Sequence, residues 1–274
     1  MTEFVVTRVV IACDAVADNL LAIEAAAELA AAMKANLRGI FLQDEALLHV
    51  AALPFVRHVS ASGAVSSGIS ESTISHQLEA HADRVRTAIE GAARTHAVNW
   101  SFEVVRGQPN LVLLSVGERD LLVIEAGSRP FIGQFRLDSR ILATAFESGR
   151  SVLLVRSQKR DKDNVIALLQ LPGTSLDRVL AAAAELAASS NRRLIVVIAN
   201  PAIDAKAVTD VVRRISPSLG QRTAVTQPSR ARPVLEEFAS ENSLLVIDAD
   251  PAANDISEIK EIARQTRADL LLLR

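Results

Sequence analysis

The sequence predicts an α/β protein made of two tandem, doubly wound domains, each with a five-stranded parallel sheet. Three observations carry that reading. Short β-branched runs alternate with longer Ala- and Leu-rich segments, the pattern of strands joined by crossover helices. The runs are continuously apolar, as strands buried on both faces must be. The second half of the chain also restates the first, as a duplicated unit would.

RVVIACD (8–14) is a first strand ending in an acid. Asp18 and Asn19 can cap the next segment, 20–35, which holds almost only good helix formers. Residues 39–42 read as a second strand, parallel to the first by the right-handed crossover rule. The stretch 44–75 then breaks the rhythm. DEALLHVAALPFV has a short helical pattern stopped at Leu53-Pro54, and SASGAVSSGISESTIS is rich in Ser and Gly. A connection this long inside a compact domain is either a functional lid or a disordered insertion, and both readings stand. Leu78, Ala82, Val85, Ile89 and Ala93 keep helical spacing and predict a helix over 76–96. WSFEVV (100–105) is a third strand, 110–116 a helix and 121–124 a fourth strand. A polar loop opens at Gly127, a helix spans 139–148, and 152–155 is the last strand. SQKRDKDN (157–164) is charged and free of apolar residues, so the domains are 1–157, carrying the insertion, and 163–274.

The repeat is visible residue by residue. VIALLQL (165–171) answers VVIACDA (9–15), and AAAAELAAS (181–189) answers AAAELAAAM (25–33). Glu185 stands 157 positions after Glu28, and Ile247 stands 123 after Ile124. The second copy is therefore 34 residues shorter between those points, about the length of the insertion. The segment 270–273 with Arg274 answers 152–155 with Arg156.

Composition narrows the function classes. A net charge of −2, no tyrosine and one tryptophan leave neither a basic field nor stacking platforms for a nucleic acid. No run reaches the roughly 20 apolar residues that span a bilayer, and the N-terminus lacks a secretory pattern, so a cytoplasmic protein without a membrane partner is expected. One cysteine, Cys13, makes no internal disulfide and no thiolate metal site. The five histidines show no metal spacing. No G-x-S-x-G elbow, Walker lysine loop or G-x-G-x-x-G occurs, so no catalytic residue and no metal site is expected.

The strand ending in Asp14 before an Ala-rich helix, the fourth strand ending in Gly127 before a loop and helix, and the closing SVLLVR together resemble the universal stress protein family, in tandem arrangement. The resemblance covers nearly the whole chain and implies Rossmann-like domains. Some members of that family bind ATP through a loop of the form G-x2-G-x9-G-[S/T] after the fourth strand. Gly127 fits its first position. Pro130 replaces the second glycine and has no N–H to offer a phosphate. Counting back from the last strand puts Asp138-Ser139 at the Gly-Ser position, where Ser139 keeps a hydroxyl and Asp138 would repel phosphate. Gly133 is an alternative glycine for a shifted loop. Arg129, Arg136 and Arg140 either neutralise an anion together with Asp138 or are exposed. Asp14 matches the position that contacts the nucleoside; as a bare residue it is also a helix cap. In the second copy, ungapped register puts Leu171 where Asp14 stands, and 249–269 contains no glycine.

The resemblance implies a non-enzymatic, stress-associated binding protein. At most one degenerate nucleotide site is expected, formed by Asp14, Gly127, Arg129, Gly133, Ser139 and Arg140. The second reading is an ATP or AMP sensor whose lid, 44–75, closes over that pocket. The family pairs domains through their last strands, so an intramolecular pseudo-dimer is expected, with a homodimer as a further assembly.

Overall fold

The computed structural model describes residues 5–13, 20–44, 57–59, 65–67, 71–107, 116–125, 150–156, 163–170, 174–228, 239, 242–250, 262 and 266–274. In the first half, β1 (Arg8–Cys13) leads through α1 (Leu20–Ala32) to β2 (Asn36–Asp44). A small antiparallel hairpin, β3 (Arg57–Val59) and β4 (Val65–Ser67), precedes α2 (Glu71–Thr95). Then come β5 (Trp100–Gly107), β6 (Asp120–Glu125) and β7 (Ser151–Val155). The second half runs β8 (Asn164–Leu169), α3 (Thr174–Ser189), β9 (Arg193–Ile198), α4 (Ala205–Ile215), a 3-10 turn (Pro217–Arg222), β10 (Thr223–Thr226), β11 (Ser243–Asp248) and β12 (Asp269–Leu273).

Ten strands form one sheet, in the order β10-β9-β8-β11-β12-β7-β6-β1-β2-β5. Every neighbouring pair is parallel except β12 and β7, which pair antiparallel at Leu270↔Leu154, Leu271↔Leu153 and Leu272↔Val152. The two five-stranded parallel sheets expected from the sequence are both present, joined edge to edge into one at β7 and β12. The reason lies in β7 and β12, whose five residues each are all buried. A strand that apolar on both faces would be a sticky edge; pairing it removes the edge.

The core follows from the pleat. Val9, Ile11 and Cys13 point to one face, where α1, α2, α3 and α4 pack, and Val10 and Ala12 to the other. Both faces are apolar along the central strands, so the continuous Val, Ile and Leu runs are needed.

The strand registers of the halves correspond. Arg8 pairs with Asn36 and Asp120, and Asn164 pairs with Arg193 and Ser243. Leu37 pairs with Trp100 as Leu194 pairs with Thr223. The separation between corresponding residues is thus 157 at Leu37 and Leu194, and 123 at Trp100 and Thr223. The 34-residue difference falls wholly in the connection from β2 to β5, which holds the insertion and the 25-residue α2, against the 11-residue α4 in the second half. The insertion is narrower than 44–75. Asp44 belongs to β2, and 71–75 belong to α2, which starts before the expected His76. The stretch also carries the β3–β4 hairpin where no regular structure is expected from its Ser and Gly content. The expected helices at 110–116 and 139–148 lie outside the described residues.

Candidate functional site

Where the strand order of a doubly wound sheet reverses, a crevice opens at the carboxyl ends of the two adjacent strands, and ligands bind there. This sheet has two such points, between β1 and β6 and between β8 and β11. Since β7 and β12 run antiparallel, the two lie on opposite edges of the sheet.

In the first half, β1 and β6 run in register at Val10↔Leu122 and Ile11↔Val123, so Cys13 and Glu125 end side by side. Cys13 is fully buried and reads as a small core side chain. Gln43, near the end of β2, is buried, and its Oε1 accepts from Arg106 Nε on β5 at 2.8 Å. The expected site residues Asp14, Gly127, Arg129, Gly133, Ser139 and Arg140, and with them Pro130 and Asp138, lie outside the described residues. Gln43, Arg106 and Glu125 at the same edge carry no motif that sequence reasoning would catch.

At the second point, the end of β11 is tied to α3. Asp248, the last residue of β11, is 4% exposed. Its Oδ2 accepts from Arg178 Nη2 at 2.9 Å, and its Oδ1 accepts from the backbone N–H of Asp250 at 2.8 Å. Arg178 Nη2 also lies 4.0 Å from the Asp250 carboxylate. Arg178 stands in the early turns of α3, the helix that comes after β8, so its guanidinium reaches across from α3 to the end of β11. Arg274 follows β12 beside them. Burial pushes its pKa down, and the charges of Asp250 and Asp248 oppose that only in part.

By register, Cys13 corresponds to Leu169, so Gln170 and not Leu171 takes the place after the strand where Asp14 stands. Asp248 corresponds to Glu125, and Arg178 stands where α1 has Leu21. That exchange of leucine for arginine, beside a second one of Leu20 for Asp177, is the sequence signal of the ion pair.

A cavity of about 60 Å³ lies between α1 and α3 at the β7–β12 seam, with Glu24, Glu28, Leu153, Val155, Arg192 and Asp269 in its wall. Its charges are engaged with protein groups. Glu24 Oε1 pairs with His96 Nε2 at 2.9 Å, Glu28 with Arg192, and Asp269 accepts from the Arg156 N–H at 2.8 Å. It is a packing seam bridged by ion pairs. Of the other described histidines, His81 stacks on Phe41 and His76 sits beside Glu79. No cluster of metal-ligating side chains occurs among the described residues. No described helix is long and apolar enough to cross a membrane.

No protein-family model and no curated protein matches this sequence. Solved structures do match the fold. The chain is similar to a universal stress protein from Archaeoglobus fulgidus DSM 4304, with a TM-score of 0.60 at 10% identity, covering 100% of this chain and 99% of that one. It is similar to a functionally unknown protein from Pseudomonas aeruginosa PAO1, at TM-score 0.58 and 10% identity over 98% and 93% of the two chains. It is also similar to the cytoplasmic domain of a prokaryotic cation chloride cotransporter, at 0.55 and 11% over 98% and 95%. The fold is that of universal stress proteins, from one end of the chain to the other.

Proposed function

We propose that this chain is a non-enzymatic protein of the universal stress protein type, acting by binding, in which two tandem copies of one α/β unit form an intramolecular pseudo-dimer. The observation that supports this best is the β7–β12 pairing, across which the two halves meet with corresponding registers. In this reading the first half, 1–157, holds at most one degenerate nucleotide site, built from Asp14, Gly127, Arg129, Gly133, Ser139 and Arg140. The second half, 163–274, is its structural partner. The chain acts in the cytoplasm, alone or as a homodimer.

The second reading is an ATP or AMP sensor whose insertion closes over the first pocket. The β3–β4 hairpin favours it, because that stretch has regular structure of its own to close with. Thermal denaturation with Mg-ATP, ADP and AMP separates the two. A nucleotide at 100 times its dissociation constant stabilises the native state by roughly 2.7 kcal/mol. The first reading expects no shift at millimolar nucleotide. A shift that Asp14→Ala abolishes would replace it with the sensor. A shift that survives Asp14→Ala would place the ligand elsewhere and sink both.

A further inference from the structure

We propose that the crevice between β8 and β11 carries a built-in occupant: the Arg178 guanidinium, held by Asp248 and Asp250, fills the place a bound ligand takes in folds of this kind. The inference goes beyond the reading above and does not depend on whether the first half binds anything. Three observations carry it. The β8–β11 junction is where the strand order reverses, and so where a doubly wound sheet opens its ligand crevice. Asp248 ends β11 buried, with both carboxylate oxygens already accepting hydrogen bonds. Arg178 comes from α3, the helix after β8, which packs on both β8 and β11, and only 21% of its side chain is exposed.

Both contacts run through one guanidinium nitrogen, Nη2, which lies 2.9 Å from Asp248 and 4.0 Å from Asp250. The first half is built differently. The position matching Arg178 is Leu21, and the acid matching Asp248 is Glu125, which is half-buried. One crevice is thus closed by its own arginine, while in the first half Leu21 lines the seam cavity between α1 and α3. The plug limits the chain to one crevice ligand.

The test uses the full-length chain. Arg178→Ala leaves a guanidinium-sized void beside two carboxylates and should lower the melting temperature by roughly 2–6 °C. Guanidinium chloride at about 20 mM should restore at least half of that loss in the variant. It should do nothing for the parent chain, and neither should potassium chloride at the same ionic strength. Asp248→Asn, which keeps Arg178 in place, should not be rescued. Equal response of Arg178→Ala and the parent to guanidinium overturns the proposal. If Arg178→Ala does not fold, Arg178→Lys takes its place. A melting temperature below the parent's that guanidinium raises supports the plug, and one that guanidinium leaves unchanged overturns it.

Discussion

At the scale of single residues, Asp120 shows how the sheet handles a buried charge. It opens β6 with 3% exposure. Arg8 reaches it from β1 with Nε at 3.0 Å and Nη2 at 2.7 Å, the Gly117 N–H donates at 2.8 Å, and Thr7 Oγ1 donates more weakly at 3.4 Å. Burial by itself pushes the carboxyl pKa up. The bonds from Arg8 and Gly117, with the Arg8 charge, pull harder and hold it below the ordinary aspartate range. The folded pKa is depressed, so the ionised form stabilises the fold above the unfolded value, about 3.9. That contribution is lost as pH falls through the folded value. Asp120→Asn should therefore cost roughly 1–3 kcal/mol at pH 7, as expected for a hydrogen bond to a charged group. Denaturant titrations of both chains should show the gap closing as pH drops below about 4. A gap that stays constant down to pH 2 would mean that the lost charge is not its cause.

At the scale of elements, the packing of α2 on the sheet depends on one missing side chain. A Cβ built on Gly39 in β2 would lie 2.3 Å from Ile89 Cδ1 on α2 and 3.1 Å from Phe102 Cδ2 on β5. Ile89 is fully buried, so its Cδ1 would have to shift within the core. Gly39→Ala should destabilise by roughly 1–3 kcal/mol through overpacking. Ile89→Val removes the clashing methyl and alone should cost about 0.5–1.5 kcal/mol. Together the two should cost less than their sum, because the valine makes room for the alanine. Additive penalties in urea titrations would show that the clash is not what fixes the helix height. The same elements show what the sequence reveals. The β1, β6, β7, β8, β9, β11 and β12 segments each carry a continuous apolar run, β2 carries a shorter one at 40–42, and all are strands in the sheet. The edge strand β10, Thr-Ala-Val-Thr, is half-buried throughout and has no such run. It is a strand because β9 offers it a ladder at Leu194 to Val197. The three-residue strands of the hairpin are too short for any pattern to show. The Arg178–Asp248 pair joins residues 70 positions apart, a contact that only the fold creates. The candidate site stands on a motif match and on the strand ends that flank it, because its six residues lie outside the described set.

At the scale of the whole molecule, the decisive question is whether the two halves are one thermodynamic unit. The β7–β12 seam argues that they are. Leu153 and Leu271 are paired across it, 3% and 0% exposed, and belong to the same apolar cluster as helices from both halves. Glu28 on α1 and Arg192 before β9 add an ion pair between the halves, but one third of the Glu28 side chain is exposed, so its share is small. Burial at the seam therefore dominates. Leu271→Ala should cost roughly 2–5 kcal/mol, the range for deleting a buried leucine side chain. The chain also carries its own reporter for the opposite half: the single tryptophan, Trp100, sits in β5 at the far edge of the sheet. If the halves unfold together, Leu271→Ala should move the Trp100 fluorescence transition and the far-UV circular dichroism transition to the same lower urea concentration. A Trp100 transition left at its original midpoint, with an earlier phase seen only by circular dichroism, would show that the halves unfold separately and that the ten-stranded sheet is a docked pair.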